Sequence, residues 1–165
     1  MLIRPEVPAD EPAIDRVLRE AFAARSHTNH AEVAIVRALR DHGDLTLSFV
    51  AEVSETIVGH IAFSPVCIAG QDDRWLGLGP LAVQPEAQRQ GFGSALVRHG
   101  LAELRLRGDA GCVVLGDPQY YSRFGFLSDG RLHYKDVPSR FVQRIVLRGE
   151  PLTGDITYAR AFDLA

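Results

Sequence analysis

The sequence predicts a mixed α/β fold, one sheet with helices on its faces. Three observations carry that expectation. Apolar residues recur at helical spacing near the N-terminus and again in the middle of the chain. Between these stretches the period drops to two. Short turns then join three consecutive strands, which makes them antiparallel neighbours. The elements follow in the order βααβββαβαβ.

Leu2-Ile3-Arg4 reads as a short strand closed by Pro5. Asp10 offers an N-cap to a helix whose stripe is Ile14, Val17, Leu18, Ala21 and Phe22. A second helix is expected from Asn29, with Glu32 three residues on, and Ile35, Val36 and Leu39 on its face; Gly43 ends it. Leu47 to Val53 alternates as a strand, Ser54-Glu55 turns, and Ile57 to Phe63 returns. Gly70 to Asp73 is the next turn, and Trp75 to Val83 a third strand, stopped by Pro85. Gln90 to Arg107 is the longest helix, with Gly93 and Gly100 on its packing face. Cys112 to Leu115 is short and wholly apolar, as in a central strand. Pro118 to Phe124 is a short helix ended by Gly125. Phe126-Leu127, Gln143 to Leu147 and Asp155 to Arg160 are further strand candidates. No linker or internal repeat interrupts residues 1–165, so a single domain is expected.

Composition narrows the function classes. The 165 residues carry 18 Lys plus Arg against 21 Asp plus Glu, a formal charge of −3. That balance argues against a broad nucleic-acid surface. Hydrophobic residues at 46% and charged residues at 24% are globular values. No apolar run approaches the ~18 residues of a membrane span, and the first residues have no leader-like apolar core. Cys67 and Cys112 sit in separate apolar runs, as expected of buried free thiols in a reducing, cytoplasmic setting. His27-Thr28-Asn29-His30 lacks further ligands at useful spacing, so no metal is expected.

The chemistry lies in Leu76 to Leu96. A strand ends at a proline, a polar turn follows, and Gly91-Phe92-Gly93 opens a helix. Unpaired N–H groups and the dipole at such an end favour an anion. Glycines let a phosphate approach the backbone, and Gln88 and Arg89 add donors at the rim. Tight turning or helix–sheet packing would call for the same glycines. A Walker loop is absent, because Lys135 has no preceding Gly and no following Ser or Thr. Gly77-x-Gly79-x-x-Ala82 matches a dinucleotide fingerprint only as a string, since the run continues as strand.

Gln88-Arg89-Gln90-Gly91-Phe92-Gly93 resembles the acyl-CoA-binding motif of the GNAT superfamily of N-acetyltransferases. Pro80 to Pro85 is similar to the family's preceding strand, and Ile57 to Ile61 to its hairpin strand. Tyr121-Ser122-Arg123-Phe124-Gly125-Phe126 resembles its later Tyr-x-x-x-Gly-Phe. The resemblance covers residues 1 to about 130. It implies a GNAT-like acyl-CoA N-acyltransferase fold, with a mostly antiparallel central sheet and one splayed parallel strand pair. It also implies acetyl-CoA as co-substrate, a small-molecule or protein amine as acceptor, and a homodimer as the assembly.

By that resemblance the cofactor set is Leu81, Ala82, Val83, Gln88, Arg89, Gln90, Gly91, Phe92, Gly93 and Ser94. The pantetheine arm would pair with main-chain groups of Leu81 and Val83. The pyrophosphate would rest on the N–H groups from Arg89 to Ser94. Tyr121 holds the general-acid position, and Tyr120, its helical neighbour, is expected to point elsewhere. The strand from Leu76 to Val83 has no carboxylate, which leaves Glu52, His60 and Asp117 as candidates for the base; Asp117 is equally a cap for the helix after Pro118. Residues 24–31 and the C-terminal segment are expected to shape the acceptor site. Two other readings share this pattern: an acyl-CoA-binding or interaction domain without amine chemistry, and a binder of another phosphate ligand.

Overall fold

A computed structural model describes residues 1–25 and 30–165. Strand β1 (Leu2–Pro5) precedes helices α1 (Glu11–Phe22) and α2 (Glu32–Asp41). Strands β2 (Leu47–Val53), β3 (Thr56–Ile68) and β4 (Gln71–Val83) follow as a meander. Then come α3 (Phe92–Arg107), β5 (Gly111–Leu115) and the short α4 (Pro118–Tyr121). The remainder adds β6 (Leu132–His133), β7 (Val142–Val146) and β8 (Gly154–Tyr158).

The strands form one mixed sheet, ordered β1-β2-β3-β4-β5-β7. Only β4 and β5 run parallel along this path. β8 pairs with the far end of β3 and, in parallel, with β6. The hairpin β3–β4 is longer than the alternation suggests, because pairing continues to Ile68 and Gln71. The expected strand at Phe126-Leu127 is reduced to one bridge, Leu127 with Arg144, and β6 lies where no strand was expected.

Alternation along the strands assigns each helix its face. Ile14, Val17 and Leu18 of α1 and Val36 of α2 pack with Val50 and Ala82 on one face. Leu96, Val97, Leu101 and Leu104 of α3 pack with Phe49, Ala51, Ile61 and Phe63 on the other. α3 lies close to the sheet because Gly100 rests on Phe63, where a methyl group would stand 2.3 Å from the ring. Asp10 stands at the start of α1 as expected, but its side chain does not cap the helix. It binds Arg4 through two hydrogen bonds, of 2.7 and 3.1 Å, and accepts the Val7 N–H. The Arg4 hydrogen bond, opposed by burial, holds its carboxyl below the usual carboxylate range. α2 begins at Glu32 after Ala31, and the expected cap Asn29 lies outside the described residues.

Candidate active site

The site begins with an interruption in β4. Ile61 faces Leu81 and Phe63 faces Leu78, so Gly79 and Pro80 together oppose Ala62. This is a β-bulge, which bends a strand and increases its twist. Gly79 takes φ +143°, in a region L side chains avoid. Pro80, joined to it by a cis bond, has no N–H for a ladder on either side. Parallel pairing of β4 with β5 stops just before this point, at Gly77 and Val113. Beyond it the two strands part.

Main-chain groups of β4 face that gap. The Gln84 N–H donates to the Val58 carbonyl at 2.8 Å, which makes these two a hydrogen-bonded antiparallel pair. Ala82 with His60 is the next such pair, two residues along. Leu81 and Val83 therefore direct their N–H and C=O groups away from β3, toward the gap. Gln88 Nε2 donates to the Val83 carbonyl at 3.0 Å. That leaves the Leu81 N–H and C=O and the Val83 N–H on the open side. Gln88 thus secures the loop to the strand instead of serving as a free donor at the rim.

The start of α3 closes the same gap. Gly91 caps it at φ +90°, and among the described residues no side chain caps its first turn. The Ala95 N–H is the first to find a helical carbonyl, that of Gly91, at 3.0 Å. The N–H groups of Phe92, Gly93 and Ser94 precede it, unsatisfied by the helix. A methyl group at Gly91 would meet nothing within 4 Å, so the space before this helix end is open. One at Gly93 would stand 2.8 Å from Tyr120 Oη.

A cleft of about 790 Å³ runs through this gap. It collects Leu81, Val83, Gln88, Arg89, Gly91, Gly93, Ser94 and Tyr121 from the expected set. Ala82, Gln90 and Phe92 are not brought to it. Ala82 is buried under α1, Phe92 packs into the α3 core, and Gln90 turns back to the Glu86 carbonyl at 2.9 Å.

Tyr121 is half-buried among Tyr120, Phe124 and Phe126. Burial pushes its phenol above the ordinary value, Tyr120 adds to the rise, and the Arg25 charge partly offsets it. Tyr120 does not point elsewhere. It lines the same cleft, with Arg123 Cζ 4.5 Å from its ring centroid. The two neighbours on one short helix thus share a wall of the cleft, their rings edge to face with centroids 5.0 Å apart.

The base candidates separate. Glu52 lies on β2, two strands from β4, and accepts Arg4 Nε at 2.9 Å. His60 is fully buried beneath α1 and α2, its Nε2 2.8 Å from Ser48 Oγ. Burial, helped by the Arg40 charge, lowers its pKa to about 3. Neither residue lines the cleft. Asp117 does, while its Oδ1 accepts the Gln119 N–H at 2.9 Å and caps α4. The Cys112 thiol is free and buried, and burial raises its pKa, so it is no nucleophile. Cys67 is also free.

Residues 44–127 match the family model of the acetyltransferase (GNAT) domain. An Escherichia coli K12 relative, named uncharacterized N-acetyltransferase YhbS, is 47% identical over 127 residues, covering 76% of this chain and 73% of its own. The chain belongs to the GNAT acetyltransferase family. A GNAT family acetyltransferase from Brucella melitensis, crystallised in complex with acetyl-CoA, is 43% identical with a TM-score of 0.89, over 98% of this chain and 97% of that one. The E. coli YhbS structure in complex with CoA is 39% identical with the same TM-score, over 98% and 91% of the two chains. The GNAT fold is therefore shared from end to end, including the tail after residue 131, where the motifs are weakest.

Phe22, Arg25, Asp117, Tyr120 and Arg123 also line the GNAT cleft, beyond the expected cofactor set. Phe22 was legible only as the last residue of a core stripe. Arg25 follows α1 with no pattern of its own. Of the stretch expected to shape the acceptor site, Ser26 to Asn29 lie outside the described residues, and with them His27 of the histidine pair. Among the described residues, no helix is long and apolar enough to cross a membrane.

Proposed function

We propose that this chain transfers the acetyl group of acetyl-CoA to a primary amine. The observation that carries the reading is the parting of β4 from β5 directly before the open N-terminus of α3. An extended arm with amide groups fits the Leu81 and Val83 main chain, as an added strand would. A diphosphate fits the N–H groups from Gly91 to Ser94, with Arg89 beside them. One helix terminus contributes only about 0.3–2 kcal/mol to a bound anion, so affinity requires the N–H groups, Arg89 and the strand pairing together. The complexes of the two similar acetyltransferases with acetyl-CoA and CoA support the same choice of ligand.

In the reaction the amine nitrogen attacks the thioester carbonyl, a C–N bond forms, and the C–S bond breaks. The Tyr121 phenol donates a hydrogen bond to the departing sulfur. Its pKa lies above 10, and a thiol titrates near ~8.5. Complete transfer of the phenolic proton is therefore uphill, and the thiolate takes its proton from solvent, to which the nitrogen releases its second proton as the amide forms. The attacking amine must first lose its own proton. Asp117 is the one base candidate at the cleft, and it accepts that proton through water.

A screen of amines that detects released CoA thiol tests the reading. Acetyl-CoA should bind and raise the melting temperature, by about 2.7 kcal/mol of stabilisation at a hundredfold excess over Kd. At least one amine class should release thiol. Binding without release across the panel would instead favour the non-catalytic binding domain. Absence of binding would overturn both.

A further inference from the structure

The cleft passes through the sheet, and its two mouths differ in chemistry. On the α3 face stand the helix N-terminus, Tyr120 and Tyr121. Two of the lining guanidinium groups belong there: Arg89 in the loop before α3, and Arg123 stacked on Tyr120. On the opposite face, that of α1, stand Phe22 and Arg25. An acyl donor seated on the α3 side leaves the α1 side for the acceptor. The amine then meets Arg25 on its way to the thioester.

Arg25 is the lining guanidinium on the α1 side. Its guanidinium lies 4.9 Å over the Phe22 ring and is exposed. Among the described residues no carboxylate pairs with it. The four residues after it, Ser26 to Asn29, contain no acid. Its charge nevertheless reaches the Tyr121 phenol through the cleft. Arg89 and Arg123 likewise form no ion pair among the described residues, but they stand on the α3 side, so Arg25 is the cation that an acceptor entering from the α1 side meets. A stacked guanidinium is held in plane and presents its fork to a carboxylate or a phosphate.

Resting on the function proposed above, we infer that the acceptor carries an anionic group beside its amine, a carboxylate in the manner of an amino acid, and that Arg25 is the residue that selects it. The amine is then directed toward the thioester while the anion stays at the α1 mouth. Polyamines and other purely cationic acceptors are disfavoured by the same charge.

Matched acceptors test this on the whole chain. The panel contains the twenty L-amino acids, each with its carboxamide, together with phosphoethanolamine, ethanolamine and spermidine. At least one amino acid should be acetylated with kcat/KM about tenfold or more above its carboxamide. Arg25→Ala should raise KM for that amino acid about tenfold and erase the preference. KM for acetyl-CoA should stay within about twofold, since the donor is held on the other face. Arg25→Lys should restore part of the preference, and Arg25→Glu should turn it toward spermidine. A preference for phosphoethanolamine over every amino acid would keep the anion rule and overturn the carboxylate. Equal rates on the paired acceptors, or a rise in acetyl-CoA KM in Arg25→Ala with the preference intact, would overturn the inference and leave the proposed activity standing. Silence of the whole panel would overturn the inference as well. In that case acetyl-CoA binding alone decides whether the cofactor reading survives.

Discussion

Tyr121 shows how much a single side chain depends on its surroundings. Its aromatic neighbours half-bury the phenol and disfavour its anion, so its proton stays in place well past neutrality. Tyr121→Phe should lower kcat by about a hundredfold, with KM for acetyl-CoA nearly unchanged, as steady-state kinetics would show. The wild-type rate should also rise with pH as the amine deprotonates, and show no decline between about pH 8 and 9.5; a descending limb there would remove the phenol as donor. Tyr121 was legible in the sequence because its spacing to Gly125 is a motif. Glu52 and His60 were misplaced because alternation gives a side chain's face but not its distance across a sheet. Glu52 is two strands from the gap, and His60 is on a face sealed by two helices. Arg25 carries no local signal, since a lone charge after a helix resembles any solvated residue.

At the scale of elements, α3 and α4 meet at a point where neither has spare room. Gly93 lies under Tyr120 Oη, and Val83 Cγ2 would be 3.7 Å from an added methyl. Gly93→Ala must push Tyr120 out of its place and crowd the first turn of α3. The expected result is about tenfold weaker acetyl-CoA binding by calorimetry, of the order of 1.4 kcal/mol. Tyr120→Phe removes the atom in conflict, and the Cζ behind it stands 4.0 Å away. Adding it to Gly93→Ala should recover most of the loss, whereas additive defects would show that the contact is not the cause. The elements themselves were largely readable: β2, α3, β5 and α4 fall within two or three residues of their expected ranges. β3 ran longer because Pro65 interrupts the pattern before the buried Val66 and Ile68, and β4 because its first residues, Gln71 to Arg74, are polar and pair through backbone groups that hydropathy does not report. β8 falls within two residues of its expected range, whereas β6 is two residues long and gains its partner only when the tail brings β8 beside it.

For the molecule as a whole, stability carries a pH signature from His60. Its pKa is about 3 in the folded protein and about 6.5 in an unfolded chain. The unfolded state therefore binds more protons between these values. Stability should be full above about pH 6.5 and fall steadily as pH drops toward 3. Urea midpoints at pH 7.5, 6 and 5 would measure this, and His60→Gln, which keeps a polar partner for Ser48, should flatten the trend above pH 5. Asp10 acts in the same direction, but only as pH passes below the carboxylate range. An unchanged slope in the His60→Gln variant would assign the loss to other groups. The overall fold was legible because period, turn spacing and the loop before α3 agree with one another. The bulge was not, since Gly79-Pro80 inside a strand pattern looks the same whether the ladder bends or ends.

The bulge also gives the sheet a border within it. β1 and β7 end the main strand order on the outside, β6 and β8 extend one end of it, and the inner border runs along the last residues of β4. Exposed borders invite strands from other chains and so promote aggregation. This one is recessed between helices on opposite faces. A second polypeptide, with side chains on both sides of its backbone, is too broad to reach it, while a slender unbranched amide chain is not. Girth alone therefore sorts what may complete the sheet, and the protein keeps an open hydrogen-bonding edge without becoming a template for its own aggregation.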